Sequence, residues 1–130
     1  MQNQYSRTQL LLGAEAMEKL HNSRVAVFGI GGVGGYTVEA LARSGVGALD
    51  LIDDDKVCLT NLNRQIIATR STVGQYKVDV AAQRIHDIDP DIRVTTHRCS
   101  LARKHRTSST LPSTTMWWMP LTPLPASWRW

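Results

Sequence analysis

The feature that most restricts how this chain folds is a glycine-rich turn between an apolar run and an amphipathic segment. Residues 25–28 are apolar and rich in valine, as a buried parallel strand requires. Gly29, Gly31 and Gly34 then match the spacing G-x-G-x-x-G, which permits a tight turn, a close phosphate and close helix packing. Residues 36–43 continue with a helical period, so a helix N-terminus would face the anion. The pattern predicts a nucleotide site, and the alternative is a purely structural glycine turn.

The composition limits the size and the setting of the protein. A chain of 130 residues accommodates one domain with a modest core. No apolar run is long enough to span a membrane, and residues 1–5 lack the basic-then-apolar order of a secretion signal. Cys58 and Cys99 show no C-x-x-C spacing, so neither a zinc site nor a disulfide framework is implied. We therefore expect a cytoplasmic protein without a membrane span.

The basic isoelectric point of the sequence arises from its C-terminal tail alone. Residues 1–98 carry as many acidic as basic side chains and have no net charge. Beyond about residue 99, small hydroxyl residues replace the periodic apolar positions, and all four tryptophans fall within residues 111–130. A basic run such as 103–106 can bind nucleic acid, but here it lies in a tail that is foreign to the rest in composition. The excess positive charge comes from Arg103, Lys104, Arg106 and Arg129.

The periodicity predicts an α/β fold in which strands and helices alternate. This order favours a Rossmann-like parallel sheet flanked by helices, in incomplete form. We expect N-terminal helices over residues 1–22, a partial nucleotide-binding domain over 23–98, and a tail over 99–130 with the composition of a disordered segment. The predicted strands cover residues 24–28, 48–52 and 92–96, and the predicted helices about 32–44 and 75–88. The N-terminal helices, broken at Gly13, have a predicted apolar face of Leu10, Leu11, Leu12, Met17 and Leu20.

Four motifs follow one another along the chain: GIGGVGG at 29–35, LIDDD at 51–55, NLNRQ at 61–65 and VGQYK at 73–77. Together they resemble the ThiF/MoeB family of ATP-dependent, ubiquitin-activating-like adenylyltransferases. The resemblance covers about residues 5–98, and residues 34–45 are most similar to the branch that dehydrates threonylcarbamoyladenosine in tRNA. It implies that a carboxylate on that nucleoside is activated with ATP and then cyclised with loss of water.

The resemblance assigns roles to the glycine turn and to the acidic stretch after the second predicted strand. It implies ATP and Mg²⁺ as cofactors, with Asp53 holding the ribose hydroxyls and Asp55 belonging to the same nucleotide site. No residue is assigned as a magnesium ligand, because the family's magnesium-binding aspartate lies on a later strand. From the residues alone, 53–55 is also compatible with a solvated acidic turn. The glycines that would line the phosphates are Gly29, Gly31, Gly32 and Gly34.

The resemblance also implies a set of polar side chains around the triphosphate. Asn61, Arg64 and Lys77 would grip the phosphates, and Arg7 would reach into the site of a partner subunit, which implies a homodimer. Adenylylation builds negative charge on the α-phosphate and the pyrophosphate, so fixed cations are its main catalytic need. Arg64, Lys77 and Arg7 are therefore the expected catalytic residues. From the residues alone, Arg64 is also compatible with capping its own loop, and Lys77 with an ordinary exposed helix lysine.

Three other functions stay open at this point. The first is activation of the C-terminus of a sulfur-carrier protein, which would make that protein the partner instead of tRNA. The second is a non-catalytic remnant or dimerisation module that keeps only nucleotide contacts. The third is an NAD-dependent oxidoreductase half-domain, although a dinucleotide needs only the glycine turn for its pyrophosphate and gives Arg64 and Lys77 no role.

The tail departs from the pattern of the family. Where the family has a strand that ends in its magnesium-binding aspartate, residues 115–120 are TMWWMP. Met and Trp have single codons, and reading the same bases one position earlier gives Val-Val-Asp-Ala, the strand of the family. We therefore hypothesise that the tail is an out-of-frame translation from about residues 98–103 onward, with neither a helix nor a strand in 117–125. Such a chain would expose apolar sheet edges, and we expect poor stability and little or no turnover.

Overall fold

Strands and helices alternate along the chain after a pair of N-terminal helices. The structure, a computed structural model, describes residues 3–99 and the backbone of Trp117–Trp118. The helices are α1 (Ser6–Leu12), α2 (Ala14–His21), α3 (Gly34–Ser44) and α4 (Lys77–Ile88), with a 3-10 turn at Leu59–Asn61. The strands are β1 (Arg24–Phe28), β2 (Ala48–Ile52), β3 (Arg93–His97) and β4 (Trp117–Trp118). None of these helices is long and apolar enough to cross a membrane.

The strands form one parallel sheet in the order β3-β2-β1-β4. Arg24 pairs with Ala48 and Phe28 with Ile52, so β1 and β2 end level with each other. The crossover helices α3 and α4 contact each other as well as the sheet, which places both on one face. The carboxyl ends of the strands and the N-termini of the helices therefore meet at one edge, where ligands bind in open α/β sheets. The predicted Rossmann-like fold is confirmed.

The core lies between the sheet and the two crossover helices. Val27, Leu49 and Leu51, at alternate positions of the two central strands, are completely or almost completely buried. They belong to one apolar cluster with Val38 of α3 and Val78 of α4. Burying one such side chain contributes about 1.5–3 kcal/mol. This layer therefore holds the strand ends and the helix N-termini in fixed positions relative to each other.

The element boundaries differ from the predicted ones where a turn intervenes. β1 and β2 have the predicted bounds, but α3 begins at Gly34, two residues later than predicted, because a turn precedes it. α4 begins at Lys77 and not at 75, because the carbonyl of Gln75 accepts a hydrogen bond from the N–H of Val57 at 2.8 Å. β3 lies one residue beyond the predicted strand. The shift of α4 therefore reflects a backbone hydrogen bond to a residue distant in sequence, whereas the shift of α3 reflects a local turn.

The two N-terminal helices are confirmed, but their predicted apolar face is wrong for three leucines. Gly13 separates the helices with φ +84°, in the region that favours glycine. Leu10 and Leu11 are 86% and 88% exposed, and Leu12 is 52% exposed. Consecutive helical residues are about 100° apart around the axis, so three in a row cannot share one face. Of the predicted face, only Met17 and Leu20 are half-buried.

A fourth strand adds to the three that the sequence predicts. Trp117 pairs with Ala26 and Trp118 with Val27 in parallel, so the prediction that 117–125 contains no strand is wrong for these two residues. Tryptophan favours strands, and an edge strand offers backbone groups to any extended segment. The predictions of disorder and of an out-of-frame origin concern residues that, apart from Cys99 and this strand, lie outside the described part of the chain.

Candidate nucleotide-binding site

The glycine turn brings the end of β1 against the start of α3. The N–H of Gly29 donates to the carbonyl oxygen of Ile52 at 2.8 Å, and Gly29 has φ +82°. A Cβ on Gly34 would overlap the carbonyl oxygen of Gly29, so no other residue fits at that position. The first and third glycines of the motif therefore act as predicted, one in the turn and one in the packing of helix on strand.

The turn leaves backbone donors available at the N-terminus of α3. Among the described residues, none accepts a hydrogen bond from the N–H of Gly31, Gly32 or Val33. These groups precede a helix of 11 residues, whose dipole adds partial positive charge at this end. Such an arrangement is suited to a phosphate or another anion.

Asp53 lies beside the turn, at the carboxyl end of β2. Its Oδ2 accepts the N–H of Ile30 at 2.6 Å, and its Oδ1 accepts the N–H of Asp55 at 2.8 Å. Asp53 is therefore a fixed carboxylate, unlike a side chain of a solvated acidic turn. Each of its oxygens keeps a lone pair for a further donor, as binding to ribose hydroxyls requires.

Lys77 is a buried cation at the first residue of α4. Its Nζ lies 2.9 Å from Oδ2 of Asp55; the lysine side chain is 7% exposed and the aspartate side chain 67%. A lysine here is disfavoured twice, because burial opposes its charge and a helix N-terminus repels cations. The interpretation of Lys77 as an ordinary exposed helix lysine is therefore wrong, and its ammonium is held by a partner that remains open to solvent.

Asn61 and Arg64 belong to the loop that faces the glycine turn. Asn61 is buried, and its Oδ1 accepts the N–H of Cys58 at 3.0 Å, which closes the 3-10 turn. The exposed Arg64 donates from Nη1 to the carbonyl oxygen of Thr60 at 3.3 Å and to Oδ1 of Asn63 at 2.9 Å. The stem of Arg64 lies 3.7 Å from the place where a Cβ on Gly32 would be. Arg64 thus caps its own loop and also lies next to the turn.

Arg7 is not brought to this site within one chain. It lies on α1, and it is exposed without an ion pair to any other described residue. The neighbouring Tyr5 anchors the start of α1 by donating to the carbonyl oxygen of Ala42 at 3.3 Å and to Asp89. Because Ala42 lies near the C-terminal end of α3, this anchor is far along the helix from the glycine turn. A role for Arg7 stays a prediction that requires a second chain.

The acidic stretch offers only part of the set of oxygen ligands that a resident magnesium ion requires. Oxygens of Asp53, Asp54 and Asp55 lie within 4.8 Å of one another. Both oxygens of Asp53 already accept backbone N–H groups, and Asp55 is paired with the ammonium of Lys77. A hard cation needs several free oxygen ligands, and this group offers few. These residues therefore suit magnesium better as the counter-ion of a bound nucleotide than as a resident ion.

Gln65 is a polar residue at this site to which the sequence analysis gave no role of its own. It is 7% exposed, and its Nε2 lies 3.9 Å from the place where a Cβ on Gly31 would be. In the sequence it immediately precedes the apolar residues 66–68, two of which are buried. A polar residue directly before an apolar run is the sequence signal that could have indicated Gln65.

The chain is similar in sequence to a known protein family and to individual members of it. The sequence matches the ThiF family over residues 4–114. The chain belongs to the ThiF family. It is 55% identical over 94 residues to the tRNA threonylcarbamoyladenosine dehydratase of Bacillus subtilis (strain 168), a match that covers 72% of this chain and 37% of the relative.

Two further similar proteins are a dehydratase whose structure contains ATP and an adenylyltransferase. The crystal structure of E. coli tRNA N6-threonylcarbamoyladenosine dehydratase, TcdA, in complex with ATP matches with a TM-score of 0.74 and 46% identity, over 75% of this chain and 40% of that one. The sulfur carrier protein ThiS adenylyltransferase of Escherichia coli (strain K12) is 42% identical over 93 residues, which is 70% of this chain and 37% of the relative. The chain spans about two fifths of the length of these relatives.

Proposed function

We propose that this chain binds ATP and forms the nucleotide-binding part of an adenylylating enzyme that acts on threonylcarbamoyladenosine in tRNA. The observation that carries the proposal is a glycine turn whose N–H groups at Gly31, Gly32 and Val33 have no partner among the described residues. Asp53 is fixed beside this turn, and the buried Lys77 is paired with Asp55, two residues further along the chain. A second cation, Arg64, lies next to Gly32 at the same turn. The 55% identity to a tRNA threonylcarbamoyladenosine dehydratase supports the choice of substrate.

The chemistry requires charge stabilisation more than it requires a nucleophile from the protein. A carboxylate oxygen of the substrate attacks the α-phosphorus of ATP, the bond from that phosphorus to the bridging oxygen breaks, and pyrophosphate leaves. A nucleophilic atom of the same nucleoside then attacks the acyl carbon and gives up its proton. The bond from that carbon to the adenylate oxygen breaks, so AMP leaves with the former carboxylate oxygen. Negative charge develops on phosphoryl oxygens in the first step, and preorganised N–H donors with Lys77 and Arg64 are the groups that stabilise it.

The proposed function also involves a magnesium ion, a second copy of the chain and a location in the cell. Magnesium would accompany ATP as its counter-ion. Arg7, which is exposed on α1, would act from a second copy of the chain in a homodimer. A tRNA-modifying enzyme of this kind would work in the cytoplasm.

Activation of a sulfur-carrier protein is the second candidate. The 42% identity to the sulfur carrier protein ThiS adenylyltransferase favours it, because the same adenylylation would serve a protein C-terminus. The glycine turn, Lys77 and Arg64 have the same roles in both reactions. The two candidates therefore differ in the acceptor and not in the nucleotide site.

Calorimetric titration of the 130-residue chain with ATP and with NAD tests the nucleotide assignment. We expect ATP·Mg to bind more tightly than NAD, and Arg64→Ala to weaken ATP about 10-fold through loss of one charge-assisted contact. Arg70→Ala, which removes another exposed arginine on a loop, is the matched control and should leave the dissociation constant unchanged. Tighter binding of NAD, or no binding of ATP, would contradict the proposal.

Exchange of labelled pyrophosphate into ATP identifies the acceptor. Exchange that requires tRNA supports the dehydratase, and exchange that requires a carrier protein supports the second candidate. ATP binding without any exchange matches the non-catalytic remnant considered from the sequence. Each result is obtained with the same chain and differs only in the acceptor added.

A further inference from the structure

Gln65 lies under the glycine turn and is fixed there by its backbone. Its N–H donates to the carbonyl oxygen of Asn61 at 2.9 Å, and its own carbonyl accepts the N–H of Ala68 at 3.0 Å. With 7% of the residue exposed, the side chain has little freedom to reorient. Its Nε2 therefore stays near Gly31, 3.9 Å from the place where a Cβ on that glycine would be.

The side-chain amide of Gln65 is not explained by the stability of the fold. Its Oε1 is sealed from solvent and has no hydrogen-bond partner within the described part of the chain. Leaving a buried acceptor unpaired costs about 1–3 kcal/mol. An apolar side chain of similar length would avoid that penalty and pack against the same neighbours. Residues that reduce stability in this way are typical of binding sites.

The amide nitrogen faces the same place as the unpaired backbone donors. The N–H groups of Gly31 and Gly32 have no partner among the described residues, and Nε2 of Gln65 is likewise without one. An anion bound at Gly31 would therefore lie near both the backbone donors and the amide donor of Gln65. Arg64 and Lys77 are charged donors, whereas Gln65 is a neutral donor whose position is fixed.

We propose that Nε2 of Gln65 donates a hydrogen bond to a phosphoryl oxygen of the nucleotide that binds on the glycine turn. This assignment rests on the proposed function, since it requires that a nucleoside phosphate occupies the site. Because the donor is neutral and buried, its contribution is less sensitive to salt than that of the exposed Arg64. Gln65 thereby distinguishes phosphorylated from unphosphorylated ligands without adding a charge.

The test is the variant Gln65→Met in the full chain. Methionine has nearly the same length but no donor, so we expect the melting temperature to stay the same or to rise. The dissociation constant for ATP should increase about 10-fold, the loss of one hydrogen bond to a charged group. That ratio should persist between low and high salt, and the affinity for adenosine should not change. Gln83→Met, at an exposed position of α4, is the matched control and should alter neither quantity.

The outcomes separate this inference from the proposed function. If the unaltered chain binds ATP and Gln65→Met binds it equally well, the inference is wrong and the proposed function stands. If the variant melts at a lower temperature with an unchanged dissociation constant, the amide has a structural role and the inference is also wrong. If the unaltered chain does not bind ATP, the proposed function fails and Gln65 loses its assignment with it.

Discussion

The two ends of the central sheet use the same close backbone approach for different purposes. At the carboxyl end, a Cβ on Gly34 would overlap the carbonyl oxygen of Gly29, and at the amino end a Cβ on Gly47 would overlap that of His21. Around Gly47 the backbone is paired, because its N–H donates to Leu20 and its carbonyl accepts the N–H of Arg93, both at 3.1 Å.

The carboxyl end keeps its polar groups incompletely paired. The N–H groups at Gly31 and Gly32 and the amide of Gln65 have no partner among the described residues, and the ammonium of Lys77 is held by an exposed carboxylate. Tight glycine packing is therefore present at both ends and does not by itself mark a site. The unpaired donors distinguish the end at which we propose that a nucleotide binds from the end around Gly47, where the backbone is paired.

Alanine at the glycines is expected to give the largest effects and separates the two ends most directly. Gly34→Ala and Gly47→Ala should each destabilise the chain by about 3 kcal/mol or more, because backbone must move to admit the new Cβ. Gly32→Ala should leave stability within about 0.5 kcal/mol, because its Cβ would make ordinary contact with Arg64 at 3.7 Å. It should nevertheless weaken ATP binding, since the added methyl lies where the phosphate approaches.

Thermal unfolding with and without ATP provides both readouts for these variants. Gly47 lies at the amino end of the sheet, away from the glycine turn. The folded fraction of Gly47→Ala should therefore bind ATP as the unaltered chain does. If Gly32→Ala binds ATP normally, or if Gly47→Ala loses affinity while still folded, the distinction between the two ends is wrong.

Replacement of the buried lysine is expected to have the next largest effect, and on binding more than on stability. Lys77→Met should weaken ATP about 100-fold, because it removes a charge-assisted contact in a buried setting. Stability should change little, since the variant removes a buried charge and leaves only the exposed Asp55 unpaired. Calorimetric titration and urea unfolding measure the two quantities. Lys19→Met changes the net charge equally at an exposed i,i+4 pair with Glu15, and a similar loss there would refute a specific role.

The smallest effect is expected from Tyr5, which anchors α1 near the C-terminal end of α3, far from the glycine turn. Burial, together with the hydrogen bond to Asp89, raises the pKa of Tyr5 from 10.0 to about 12. Burial alone would raise the pKa of Asp89, but the hydrogen bonds from Tyr5 and from the N–H of Asp91 hold it below its usual value. Tyr5→Phe should reduce the free energy of unfolding at pH 8 by about 1 kcal/mol and leave ATP affinity unchanged.

The effect of Tyr5→Phe on the free energy of unfolding should depend on pH. The folded state binds the phenolic proton more tightly, so the contribution of Tyr5 is complete below pH 10 and declines as the pH rises towards 12. The difference between the unaltered chain and Tyr5→Phe should therefore narrow over that interval. Urea unfolding at pH 8 and at pH 11 measures it, and a difference that widens would contradict the assigned contact.

Local patterns predicted the elements whose residues depend on their neighbours in sequence. The bounds of β1 and β2 follow from short apolar runs, and the glycine turn follows from its spacing. The burial of Lys77 and its pairing with Asp55, 22 residues earlier, depend on how α4 docks, which no local pattern contains.

Other features depended on contacts that are specific to the folded chain. Leu10 and Leu11 are exposed although they are apolar. Their hydrophobicity alone predicts an apolar face, but consecutive residues of a helix point in different directions. β4 forms at an available sheet edge and not because of an alternating pattern in residues 117–125. Oε1 of Gln65 is buried without a partner among the described residues, which only the three-dimensional arrangement reveals.

The pairing of Lys77 with an exposed aspartate has a consequence for which anions the site accepts. The carboxylate of Asp55 is a tethered competitor, supplied by the chain itself, that occupies the ammonium whenever nothing else does. Because the fold already holds this carboxylate next to the ammonium, its pairing costs no translational freedom, whereas a free anion must lose that freedom to take its place. Under the proposed function, a ligand with several phosphoryl groups would contact the turn and the lysine together, and these contacts would offset the loss of the ion pair. Under that proposal, Asp55 would favour polyphosphates over simple anions before any contact with the base or the ribose is made.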